Sequence, residues 1–125
     1  MEEFRPAFDR MQSDRMEGLL NIADPFQFRE RKDLVGYAAR LRLTAIYTAN
    51  DYVEAGGLAS FGTNLSEQLR RAAEYVDKIL RGAKPADLPV QEPTNFQLAI
   101  NLKAAREQGI KIQPSILVRA DQVIE

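Results

Sequence analysis

Residues 18–61 read GLLNIADPFQFRERKDLVGYAARLRLTAIYTANDYVEAGGLASF, and the fold class rests on this stretch. It opens with the apolar run GLLNIA at 18–23. That run is too short for a helix and closes on the turn signal Asp24-Pro25, so it reads as a buried strand. The same dipeptide starts a helix well. Aspartate offers a side-chain oxygen to the unpaired first amides, and proline at the first helical position forfeits only an N–H that had no partner. Leu34, Tyr37, Ala38 and Leu41 then fall at i, i+3, i+4 and i+7, one apolar face of a helix running to about residue 41. TAIYT at 44–48 is rich in β-branched and aromatic residues and reads as a second strand. Asn50 is placed to cap a short helix over 51–55 that Gly56-Gly57 ends, and LASF at 58–61 reads as a third strand. Strands alternating with helices imply βαβ units and a parallel sheet covered on both faces. The class is α/β.

Working outward, Asn64 followed by Glu67 resembles a capping box. Leu65, Leu69, Ala72, Val76 and Ile79 continue at steps of four and three, and Gly82 stands where a left-handed cap belongs. Pro85, Pro89 and Pro93 make residues 83–93 an extended connector. Phe96, Leu98 and Ile100 alternate with Gln97 and Ala99 as a half-buried strand does. A helix over 102–108 ends at Gly109, Ile110 and Ile112 read as a last brief strand, and a turn or helix follows Pro114. Upstream, a short helix is expected after Pro6. The chain thus divides into an α/β lobe (1–62), a long helix (63–82), and a connector with a strand–helix–strand end (83–125).

The chain has 125 residues, enough for one domain, with 17 Lys plus Arg against 18 Asp plus Glu and a net charge of −1. No basic surplus is available to recruit nucleic acid or an anionic membrane. The absence of cysteine removes thiolate nucleophiles and thiolate metal sites, and the absence of histidine removes the commonest general base and metal ligand. No apolar stretch approaches the ~20 residues that span a bilayer. The acidic, charged start MEEFRPAFDR does not read as a secretory signal.

Candidate chemistry is sparse. Gly56-Gly57 and Gly62 lack the spacing of a phosphate loop and fit a helix end better. Glu30 with Asp33 and Asp51 with Glu54 share helix faces, but the first pair is interleaved with Arg29, Arg31 and Lys32, as a solvated salt-bridged face would be. No metal ligand set, catalytic residue or cofactor site is assigned. Ser60 has no activating base. In open α/β sheets ligands bind beyond the carboxyl ends of the strands, and Asp24, Thr48, Asn50, Ser60 and Asn64 sit at or beside such ends. Each is equally well explained as a cap.

The run from Tyr52, carrying EAGGLASFG, VDKILRGAKPADLPV, NFQLAINLKAA and PSILVRADQVIE, resembles the C-terminal part of bacterial ABC-transporter substrate-binding proteins, in the group related to tryptophan/tyrosine-type binders. The upstream segment LLNIADPFQFRERKDLVGYAARLRLTAIY is similar to the same family. The resemblance implies one lobe of a type-I periplasmic binding protein, with the N-terminal lobe and export signal outside this sequence. It also implies a non-enzymatic binder of a small organic molecule, a permease as partner, and a periplasmic location. Asp24, Thr48, Asn50 and Ser60 are then the expected hydrogen-bonding residues of the cleft, with Phe26 and Tyr47 supplying flat contacts. The helix over 64–81 would cross the hinge. Its apolar stripe is expected to pack back on the rest of the chain or to form a homodimer. The readings set against this one are a standalone α/β signalling domain, for which Asp24 lacks an acidic cluster and an activating lysine, and a metal-dependent carboxylate enzyme using Asp24.

Overall fold

The computed structural model describes residues 4–22 and 24–125. Ala23, placed above at the end of the first strand, lies outside the described residues, as do residues 1–3 of the acidic start. The chain divides into two compact units, one of residues 1–62 with 97–125 and one of residues 63–96. Residues 97–125, expected above to belong with the connector, group instead with the first unit. They return to complete the sheet.

The first unit begins with α1 (Arg5–Ser13), which has Pro6 in its first turn. It continues through β1 (Gly18–Asn21), α2 (Pro25–Arg29), α3 (Arg31–Arg40), β2 (Thr44–Tyr47), α4 (Asn50–Glu54) and β3 (Ala59–Thr63). It resumes with β4 (Phe96–Asn101), α6 (Leu102–Gln108), α7 (Pro114–Leu117) and β5 (Gln122–Ile124). The strands form one sheet in the order β1-β2-β3-β4-β5. The β1–β2, β2–β3 and β4–β5 pairs are parallel.

Three local expectations change. The helix expected from 25 to 41 breaks at Glu30, which closes α2 by donating its amide to the Phe26 carbonyl at 3.2 Å and opens α3 by accepting from the Asp33 and Leu34 amides at 3.0 and 3.1 Å. Ile110 and Ile112 form no strand. The Ile110 amide closes α6 on the Ala105 carbonyl at 2.8 Å, just after Gly109 turns left-handed (φ +73). The last strand lies instead at β5, where Asp121 clamps Leu98 by accepting its amide and donating to its carbonyl, both at 2.8 Å.

Register assigns the faces. Asn21 lies opposite Tyr47, and Tyr47 opposite Ser60, so these three share one face with Leu19 and Ala45. That face carries the core of Phe8, Leu34, Val35, Ala38, Leu43, Ala45, Tyr47 and Tyr52. Leu20, Ile46 and Ala59 share the opposite face with Phe61, where Leu20 stays 65% and Phe61 52% exposed.

The second unit is α5 (Leu65–Leu80), a 3-10 turn (Pro85–Asp87) and an extended strap to residue 95. Asn64 caps α5 as expected, its Oδ1 accepting from the Glu67 amide at 3.1 Å. Among the described residues no helix is long and apolar enough to cross a membrane.

Candidate functional site

The carboxyl ends of β1 and β2 and the start of β3 gather polar side chains on the core face. Asp24 follows β1 and is exposed. Its Oδ1 accepts from the Gln27 amide at 2.8 Å, so it caps α2. Phe26, on α2, is partly exposed. Its ring lies 5.5 Å from Phe4 and under the Arg29 guanidinium. Thr48 follows β2, and its carbonyl stands so close to β3 that a Cβ on Gly62 would come within 1.9 Å of it.

Asn50 and Ser60, both chosen as hydrogen-bonding residues, meet directly. The Ser60 hydroxyl, 0% exposed, donates to Asn50 Oδ1 at 2.8 Å, and Asn50 Nδ2 donates to Gln122 Oε1 at 3.2 Å. Asn50 therefore does not cap α4. The N-cap position is Ala49, and the Asn50 amide ties the starts of α4, β3 and β5 together instead. Tyr47 takes a core position at 1% exposure, stacked on Tyr52 with ring centroids 4.9 Å apart. Burial and the neighbouring Tyr52 hydroxyl push its pKa well above the ordinary tyrosine range.

Sequence reasoning passed over Asn21, Tyr52 and Gln122. Asn21 ends β1 at 7% exposure. Its Nδ2 donates to Gln27 Oε1 at 2.7 Å, while its Oδ1 has no partner among the described residues. Tyr52, at 0% exposure, packs edge-on against Phe28 and likewise leaves its hydroxyl unpartnered. Its pKa is raised, first by burial and then by the Asp24 and Asp51 carboxylates, with the Arg31 guanidinium opposing. The signal for Asn21 was present: an amide inside an otherwise apolar strand needs a reason. Tyr52 read as an ordinary helix residue.

The second unit holds a groove of about 430 Å³ between α5 and the strap, lined in part by Asn64 but by none of the six expected cleft residues. Its polar groups are largely engaged with one another. Glu67 accepts from Arg71 at 3.2 Å and from Asn95 at 3.0 Å, and the Tyr75 hydroxyl donates to the Pro89 carbonyl at 2.6 Å. Among the described residues no three His, Cys, Asp or Glu side chains cluster to hold a metal ion.

The family model for ABC transporter substrate binding proteins matches residues 11–124. The chain belongs to that family. No curated protein matches it. Among solved structures, a conserved domain protein from Vibrio cholerae O1 biovar El Tor str. N16961 is 26% identical with a TM-score of 0.89, over 98% of this chain and 41% of its own. An ABC domain from Streptococcus pneumoniae, solved in complex with L-Trp, is 29% identical with a TM-score of 0.88, over 98% of this chain and 42% of its own. A ligand-free, open substrate-binding protein with adhesive properties from Clostridium difficile, at 19% identity and a TM-score of 0.66, shares the fold, over 98% of this chain and 41% of its own. The chain spans about two fifths of the length of these solved structures. It is an α/β lobe of the substrate-binding fold.

Proposed function

We propose that this chain carries a solute-binding face of an ABC importer's substrate-binding protein. On this reading it holds a small organic molecule at the carboxyl rim of its sheet. It acts outside the cytoplasmic membrane, delivers its ligand to a permease, and performs no chemistry on it. The observation that carries the reading is the family match across residues 11–124. The rim supports the location, because exposed Asp24 and partly exposed Phe26, Thr48 and Asn50 crowd the strand ends where open α/β sheets bind ligands. Ser60 and Gln122 support Asn50 from behind. Tyr47 supports the floor through its stack on Tyr52.

The solute class is a small zwitterion or other polar organic molecule with a flat apolar part, for which Phe26 offers a ring. L-tryptophan is the first probe, because the pneumococcal neighbour was solved with it. Isothermal titration of the chain with L-tryptophan, L-tyrosine and a panel of other amino acids is expected to give saturable binding for at least one. Asp24→Ala and Asn50→Ala each weaken it about tenfold, the effect of one hydrogen bond to a charged or polar group. Absence of heat and of any melting-temperature shift across the panel would overturn the reading for this chain. Unchanged affinity in both variants would move the site off the rim.

A further inference from the structure

Two buried polar atoms at the rim are unexplained by the fold. A buried donor or acceptor without a partner costs free energy, so each such atom in a folded protein calls for a ligand, a water or an ion. Among the described residues there are three: Asn21 Oδ1, Tyr52 Oη and Gln108 Oε1. The first two belong to one neighbourhood. Asn21 holds Gln27 of α2 through its other amide atom, and Tyr52 packs edge-on against Phe28 of the same helix. Asn21 is also the sheet partner of Tyr47, whose ring stacks on Tyr52. One atom is an acceptor. The other, a protonated phenol, is a donor.

The charges nearby select among ligand groups. The Asp24 and Asp51 carboxylates act on the Tyr52 hydroxyl, and the opposing cation among the described residues, Arg31, is already engaged with Phe28 through its carbonyl and its ring face. A carboxylate placed between Asn21 and Tyr52 would meet an unpaired carbonyl oxygen and two negative charges. A group that donates and accepts at once, without charge, satisfies both orphans.

We propose that Asn21 and Tyr52 form a polar seat in the floor of the rim, and that the seat takes a neutral carboxamide or hydroxyl group of the solute in preference to a carboxylate. This rests on the rim being the ligand face. Tyr52 donates from its hydroxyl, Asn21 accepts through Oδ1, and Gln27 holds the Asn21 amide in the accepting orientation.

The test uses the isosteric pair acetamide and sodium acetate, so it does not depend on knowing the solute. In side-chain NMR of the isotope-labelled chain, acetamide is expected to shift the Asn21 amide and Tyr52 ring signals saturably, while acetate leaves them unmoved at the same concentration and ionic strength. Tyr52→Phe keeps the stacked ring and is expected to weaken the acetamide response about tenfold. Asn21→Leu does the same, because it removes the unpartnered Oδ1 together with the amide that holds Gln27. If Asn21→Leu fails to fold, Tyr52→Phe decides alone. No acetamide response, an equal or larger acetate response, or a response that survives in Tyr52→Phe would each overturn the proposal and leave a trapped water as the explanation. Amino-acid binding that depends on Asp24 without any acetamide response would sink the seat and leave the rim reading standing. An acetamide response without amino-acid binding would do the reverse.

Discussion

Asn101 shows how much one buried amide holds in this lobe. It ends β4, caps α6 by accepting from the Ala104 amide at 2.9 Å, and donates to the Val53 carbonyl at 3.2 Å. Its own amide reaches the Leu58 carbonyl. Asn101→Ala removes the cap and leaves the Val53 carbonyl without its side-chain donor. The expected loss is about 2–3 kcal/mol, the sum of a cap and a buried hydrogen bond, read from the denaturant midpoint. The stacked tyrosines make a second prediction at this scale. Both Tyr47 and Tyr52 have raised pKa values in the folded chain, with burial the first cause. An unfolded tyrosine loses its proton near pH 10. Above that pH the unfolded state binds fewer protons than the folded one, so stability is flat below about pH 9 and falls as pH rises through 10 and beyond. Chemical denaturation from pH 8 to 11 should show this decline, and Tyr52→Phe should make it shallower; a pH-independent midpoint would contradict it. Tyr47 itself was legible as a strand residue. Its burial was not, because TAIYT does not say which face of the sheet meets α3 and α4. Only the register with Asn21 and Ser60 does.

At the scale of elements, β3 runs very close beside the residue that follows β2. A Cβ on Gly62 would sit 1.9 Å from the Thr48 carbonyl oxygen and 2.8 Å from its carbon, both main-chain atoms that no rotamer change can move. Gly62→Ala must therefore push two strands apart. It is expected to cost about 3 kcal/mol, at the upper end for overpacking, and to disturb Thr48 and Asn50 together; a thermal melt within 2 °C of the parent would refute this. Gly36→Ala is the matched control, because nothing lies within 4 Å of its added carbon. Elements whose ends are decided locally were legible in the sequence. Asp24, Asn64 and Gly109 close helices by their own side-chain or backbone chemistry, and all three do so here. Elements decided by a partner were not. Asn50 has the residue type of a cap but meets Ser60, ten positions on, and Gln122, on the last strand. The final strand was misplaced for the same reason. QVI at 122–124 carries too little pattern of its own, and Asp121 sets it against β4 through Leu98.

For the whole molecule, the two units differ in what holds them. The first has a continuous core from Phe8 to Tyr52 and a second buried group at Ala99, Ile100, Ala104 and Ala105. Along the second, every described residue is at least partly open to solvent, and α5 has no buried residue over its 16 positions. A segment with so few buried contacts opens at low free-energy cost, so amides of residues 65–80 should exchange with deuterium well before those of β2 and β4. The apolar stripe of α5 sharpens this. Leu65, Leu69, Val76 and Ile79 of that stripe all stand exposed. An exposed apolar helix face of this kind drives association, and with a net charge of −1 little opposes it. Sedimentation of the chain is therefore expected to be concentration-dependent. Leu69→Glu is expected to return it to the monomer mass without lowering the melting temperature, because the leucine side chain already lies in water and its replacement costs less than about 0.5 kcal/mol. A monomeric parent would remove the second copy as the cover for this face. A Leu69→Glu variant that melts several degrees lower would show instead that the leucine is buried within a single chain in solution. Slowed exchange at residues 65–80 in the concentrated parent but not in Leu69→Glu would tie the association to this helix, because only a partner seated on the stripe protects amides that the chain alone leaves open.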